Sequence, residues 1–202
     1  MAIVSISGPS LTGKSTLIKL LQLRLDKQAE FIPDVRDTVY EELIATGIFR
    51  EFAEIAKDRD YLLIYIMKMV ERYQQNLENA EKDRLYIVDG SHLDLMIYSM
   101  LHLWYHYPTK GIQEECLHGL LEVRGLVDHI YMTKENDTNF PLKYAGSRAY
   151  STSFTKCRKT EVYYYDIFSD SNKVTVLPSN LVMECDHFIV EDLKNRGLLS
   201  GK

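Results

Sequence analysis

The chain has 202 residues, 46% hydrophobic and 26% charged, with a formal net charge of -5; this suits one domain with a real core and argues against broad nucleic-acid binding. No apolar run is long enough to cross a membrane. Cys116, Cys157 and Cys185 are widely spaced without a C-x-x-C pair, which disfavours a disulfide frame or zinc site and suits a reducing, cytoplasmic compartment.

Residues 2–7 form a short β-rich run, expected to be a core strand with no signal peptide ahead of it. Gly8-Pro9-Ser10-Leu11-Thr12-Gly13-Lys14-Ser15-Thr16 follows and fits the pattern G-x-x-x-x-G-K-[ST]. Glycines let the backbone bring N–H groups close to phosphate oxygens. Lys14 can reach the outer phosphates, and the Ser15 hydroxyl can ligate magnesium. Residues 17–25 are apolar at helical spacing, so the next helix points its positive end at the same anion. The triphosphate of ATP is therefore assigned to Gly8, Ser10, Thr12, Gly13, Lys14, Ser15 and Thr16.

Residues 30–33 read as a short strand ending at proline, with a helix expected over 39–45. Between them lie Asp34, Arg36 and Asp37. Residues just past a strand's carboxyl end face the ligand crevice of an open α/β sheet, so these three are placed to touch substrate. The competing reading makes Asp34 a helix cap and Asp37 its capping-box partner. Arg36 favours function, because a cation in a first turn opposes the helix dipole.

Residues 50–81 carry one long helical pattern without proline or glycine, which predicts a break or a dimer-forming helix. Phe49, Phe52, Tyr61 and Tyr65 either stack on a base or fill the core, and Lys68 and Arg72 share a face. Residues 84–89 form an apolar strand ending in Asp89, which is placed to hold the magnesium shell beside the phosphate loop. A helix is expected from there through residue 103, with His92 at its start and an aromatic-rich stretch holding Tyr98, Trp104, Tyr105 and Tyr107. A turn at 108–111, a helix over 112–123 and a strand over 126–133 follow. Residues 134–154 are polar and without periodicity, and hold Lys143, Gly146 and Arg148. Lys156, Arg158, Lys159 and Glu161 open a helix to residue 168; basic residues there imply a nearby anion. A last strand over 173–178 and a closing helix over 188–196 complete the chain.

Five strands separated by helices, at 3–7, 31–32, 85–89, 128–132 and 174–177, predict a parallel sheet covered on both faces. With the phosphate loop after the first strand, the expectation is one three-layer α/β/α P-loop domain over 1–202, with a lid at about 134–160.

The chain resembles the nucleoside and nucleotide kinase branch of P-loop proteins: thymidylate kinases, deoxynucleoside kinases and ribosylnicotinamide kinases. The likeness is carried by residues 8–16; by Ile32-Pro33-Asp34-Val35-Arg36-Asp37, similar to the Pro-Glu and Arg-Glu motifs; by residues 87–98, similar to the Asp-Arg-Tyr stretch with its trailing Ala-Tyr; and by residues 148–161, similar to the mobile lid. It departs from thymidylate kinases at Gly90, where they carry arginine, and it lacks the Pro-Gly-Gly and Phe-Pro-Arg motifs. Lys68 falls where those enzymes carry a base-contacting arginine, with Arg72 as the other candidate. The resemblance implies Tyr98 beside the substrate, Arg148, Arg158 and Lys156 closing over the phosphates, and dimers formed through long helices such as 50–81.

Phosphoryl transfer needs charge neutralised on the moving group and the reactants held in line. Lys14 serves the phosphates, and Ser15 with Asp89 holds magnesium. A hydroxyl acceptor needs a base, Asp34 or Asp89; a phosphate acceptor needs clamps, Arg36 with Lys68 or Arg72. Both sets are present, and the spacing tips the reading toward a nucleoside monophosphate. The alternatives are a nucleoside kinase acting on a 5'-hydroxyl, as for a deoxynucleoside or ribosylnicotinamide, and a nucleotide-dependent ATPase or switch. No Asn-Lys-x-Asp motif supports a GTPase switch, and the acidic charge disfavours a polynucleotide substrate.

Overall fold

The computed structural model describes residues 2–9, 12–47, 58–81, 83–101, 114, 118, 124–134, 160–167, 172–178 and 181–199. Its centre is β1 (Ala2–Ser7), in which every residue is buried. β1 pairs in parallel with β3 (Leu85–Asp89) on one side and β4 (His129–Met132) on the other. β2 (Glu30–Ile32) adds outside β3, and β5 (Val174–Val176) outside β4. The sheet order is β2-β3-β1-β4-β5, an all-parallel arrangement that requires helical crossovers and two covered faces.

Alternation along β1 divides the molecule. Ala2, Val4 and Ile6 enter one core with Leu17, Leu21 and Leu25 of α1 (Lys14–Leu25), and with Cys185, Ile189 and Leu193 of α6 (Val182–Asn195). Ile3 enters the opposite core, with Val39 and Leu43 of α2 (Val35–Ala45) and Ile66, Met69 and Tyr73 of α3 (Arg59–Glu78). α4 (His92–Ser99) and α5, the helical run at 160–167, join that second core through Leu93 and Tyr165. On this side β1 also presents Ser5 and Ser7, both fully buried. Ser5 meets the Tyr73 hydroxyl at 3.5 Å, so the strand's polar side chains are matched by partners from the helical layer.

The fold is the three-layer P-loop arrangement expected, and three helix starts differ from the periodicity. α2 begins at Val35 because Asp34 caps it, its Oδ1 accepting from the Arg36 N–H at 2.9 Å. α3 begins at Arg59, inside the expected helix of residues 50–81, where Asp58 accepts from the N–H groups of Asp60 and Tyr61 at 2.9 and 3.1 Å. α6 begins at Val182, six residues before the expected 188, because its buried stripe runs from Cys185 through Asp186, Ile189 and Val190 to Leu193. Among the described residues no helix is long and apolar enough to cross a membrane.

Candidate phosphoryl-transfer site

The carboxyl ends of β1, β2 and β3 bring the chemistry together, at the edge where open α/β sheets bind ligands. Gly8 leaves β1 with φ +133° and passes so close to β4 that a Cβ there would sit 2.2 Å from Thr133 Oγ1. Only glycine fits that approach and conformation. Gly13, with φ +91°, turns the chain into α1 and has no side chain with which to cap it. The N–H groups of a helix's first turn have no partner within the helix and suit an anion. Thr12 steadies the loop by hydrogen bonds to Pro9 O at 2.8 Å and to Thr133 Oγ1 at 2.6 Å.

Lys14 folds back over the loop, donating to the carbonyls of Gly8 and Pro9. Burial lowers its ammonium pKa, and the Asp94 carboxylate is the leading charge that opposes the shift. A cation parked on carbonyl oxygens beside uncapped N–H groups is suited to exchange those oxygens for phosphate. Ser15 and Thr16 are exposed at the start of α1. These residues fit a nucleotide triphosphate.

Asp34 and Arg36 form a tight unit at the end of β2. The Arg36 guanidinium donates through Nε at 2.8 Å, and also through Nη2, to Asp34 Oδ2. Burial would lower the Arg36 pKa, but the Asp34 hydrogen bond and charge outweigh it and the value is raised. The Tyr65 hydroxyl donates to Arg36 O at 2.9 Å, fixing the first turn of α2 against α3.

Asp89 ends β3 half-buried, its pKa raised to about 6 by burial first and then by the Asp34 charge, with Lys14 pulling the other way. Ser15 and Asp89 are hard oxygen donors of the kind magnesium takes, and the ion usually completes its shell with water and substrate phosphates. Among the described residues no group of three or more His, Cys, Asp or Glu forms a metal cage. Asp94, on the first turn of α4, accepts from Ser7 Oγ at 2.5 Å, Ser91 N at 2.7 Å, Ser91 Oγ at 2.8 Å and Tyr165 Oη at 2.6 Å.

The other expected residues are placed as follows. Arg72 pairs with Glu42 at 2.7 Å, two turns along α2 from Arg36. Lys68 is half exposed and 4.0 Å from Glu71. Tyr98 sits edge-on to Tyr65 with ring centroids 6.2 Å apart. Tyr61 is exposed and Tyr65 is buried in the core. His92 is buried at the start of α4 with its pKa lowered to about 4 by burial, and its Nδ1 has no hydrogen-bond partner among the described residues. Ser10, Arg148, Lys156, Arg158 and the lid span, apart from its end residues 134 and 160, lie outside the described residues, as do Phe49 and Phe52. The structure adds Ser7, Asp94, Glu161 and Tyr165 to the neighbourhood of Lys14. The one local signal for Asp94 was Ser91-x-x-Asp94, a capping-box spacing.

Residues 3–122 match the family profile described as AAA domain. No curated protein matches the chain. Among solved structures, deoxyadenosine kinase from M. mycoides with bound dATP superposes with a TM-score of 0.68 at 16% identity, covering 96% of this chain and 100% of that one. The NadR protein in complex with NR superposes with a TM-score of 0.58 at 15% identity, covering all of this chain. The chain spans about half, 51%, of the NadR chain. At these identities the likeness is one of fold, and the fold is that of P-loop kinases.

Proposed function

The chain belongs to the AAA domain family of P-loop proteins, and on that premise we propose that it transfers the terminal phosphoryl group of ATP to a hydroxyl of a small nucleoside-class acceptor. The whole chain is read as one kinase domain. The observation that carries the choice of acceptor is the state of the arginines. Arg36 is bound through two nitrogens to Asp34, and Arg72 is bound to Glu42. Both arginines expected for a monophosphate clamp thus hold carboxylates, and two carboxylates, Asp34 and Asp89, lie within electrostatic reach of each other at the strand ends.

Lys14 and the N–H groups at the start of α1 would bind the outer phosphates and hold them still. Ser15 and Asp89 would hold magnesium, which when bound neutralises phosphate charge. Asp34 is the base in this reading. Of its roughly four acceptor positions, three take the Arg36 N, Nε and Nη2 donors. One on Oδ1 remains for an acceptor hydroxyl. Arg36 orients that carboxylate, so the proton passes to a fixed oxygen as the new P–O bond to the acceptor forms and the P–O bond to ADP breaks, releasing ADP.

A product assay tests the reading: purified protein, magnesium and ATP against matched nucleosides and nucleoside monophosphates, with products resolved by mass. A nucleoside monophosphate made from a nucleoside is the expected result. A diphosphate made from a monophosphate would turn Arg36 into a phosphate clamp. Bound ATP with no product from any acceptor would favour an ATPase or switch.

A further inference from the structure

Asp94 gathers contacts on both carboxylate oxygens: Ser7 Oγ, Ser91 N and Ser91 Oγ converge on Oδ2, and Tyr165 Oη donates to Oδ1. A capping box accounts for the Ser91 N contact; it does not account for Ser7 or Tyr165. Those two come from elsewhere in the chain. Ser7 is the last residue of β1, directly before Gly8. Tyr165 lies on α5, buried, its phenol pKa raised by burial and by the Asp94 charge, so it stays neutral and donates. Ser91 follows Asp89 by two residues. The Asp94 carboxylate thus joins the strand that enters the phosphate loop, the turn that follows Asp89, and the helix that brings Glu161 toward Lys14. Among the described residues no cation pairs directly with it, and its charge acts on Lys14 instead.

Building on the kinase reading above, we propose that Asp94 and Tyr165 form a positioning pair for phosphoryl transfer, holding the phosphate loop and Asp89 at their working separation. Neither side chain touches substrate. Removing either one lets the strand ends drift by fractions of an ångström, which slows a reaction that depends on in-line geometry more than it weakens binding.

The test is steady-state kinetics on an acceptor identified by the product assay, with melting curves beside it. Tyr165→Phe keeps the ring and removes one donor. It is expected to lower kcat about tenfold, leave KM for ATP and acceptor within about twofold, and keep Tm within a few degrees. Asp94→Asn lowers kcat further, and the double variant is no slower than Asp94→Asn, because the pair acts as one unit. Wild-type kcat in Tyr165→Phe, a loss carried by KM alone, or additive losses in the double variant would each overturn the proposal while the kinase reading stands. Absence of transfer by the unsubstituted protein to every acceptor would overturn both.

Discussion

Asp192 and Asp94 each receive a buried tyrosine hydroxyl, and they differ in what surrounds them. Asp192 on α6 accepts from Tyr131 Oη at 2.7 Å and from Arg196 Nε at 2.7 Å. Burial works against ionisation there, yet the Tyr131 and Arg196 hydrogen bonds lower its pKa. Its charge is closed by its own cation, and the result fastens α6 to β4. Asp94 has neutral donors, and its charge acts at a distance on Lys14 and Arg36. Asp34, Asp89 and Glu161 also stand within electrostatic range of Lys14 or Arg36. Carboxylates gathered around a buried lysine at the strand ends mark a candidate working site.

The contrast can be broken most sharply at Lys14. Lys14→Ala is expected to lower phosphoryl transfer by a factor on the order of 10² to 10³, with circular dichroism unchanged; transfer within a few fold of wild type would remove the loop from the mechanism. In the closed cluster the expectation reverses. Asp192→Ala strands the Tyr131 hydroxyl and should cost about 1–3 kcal/mol in denaturant unfolding, with activity per folded molecule unaffected.

Asp89 sharpens the comparison through pH. Its folded pKa, about 6, lies above the ordinary 3.8, so the folded chain holds this proton more tightly than the unfolded chain. Stability from this group therefore declines as pH rises from about 3.8 through about 6 and stays lower above that. Without magnesium or nucleotide, Asp89→Asn should melt a few degrees above wild type at pH 7. The gap should close toward pH 4, and a variant that melts lower at pH 7 would contradict burial as the cause of the raised Asp89 pKa. The smallest effect near neutrality belongs to His92. Its pKa falls from 6.5 to about 4 on burial, so the unfolded chain takes the proton first and stability drops as pH falls between those values. His92→Gln should flatten that part of the Tm profile.

The phosphate loop was readable from sequence because its chemistry imposes a fixed local spacing on residues 8–16. The strands were readable because a sheet buried on both faces demands continuous apolar runs. Asp34 illustrates a partial reading. Cap and functional residue stood as alternatives, yet the geometry gives Oδ1 to the cap and Oδ2 to Arg36, so capping does not preclude the second role. Asp94 was missed because its decisive partners lie 87 and 71 residues away, at Ser7 and Tyr165. No local pattern encodes such a meeting. The early start of α6 escaped for a simpler reason: Leu181 precedes it and supplies no side-chain cap. Lys68 and Arg72 share a helix face as their spacing requires, but the neighbouring α2 decides that Arg72 meets Glu42.

The most direct measurement of the central claim is the single-turnover rate of Asp34→Asn at saturating ATP, magnesium and nucleoside acceptor. Loss of a positioned base is expected to slow transfer by about 10² to 10⁴ while ATP affinity holds, since Asp34 lies outside the phosphate loop. A rate equal to wild type would contradict the assignment of Asp34 as the base, and with it the hydroxyl-acceptor reading.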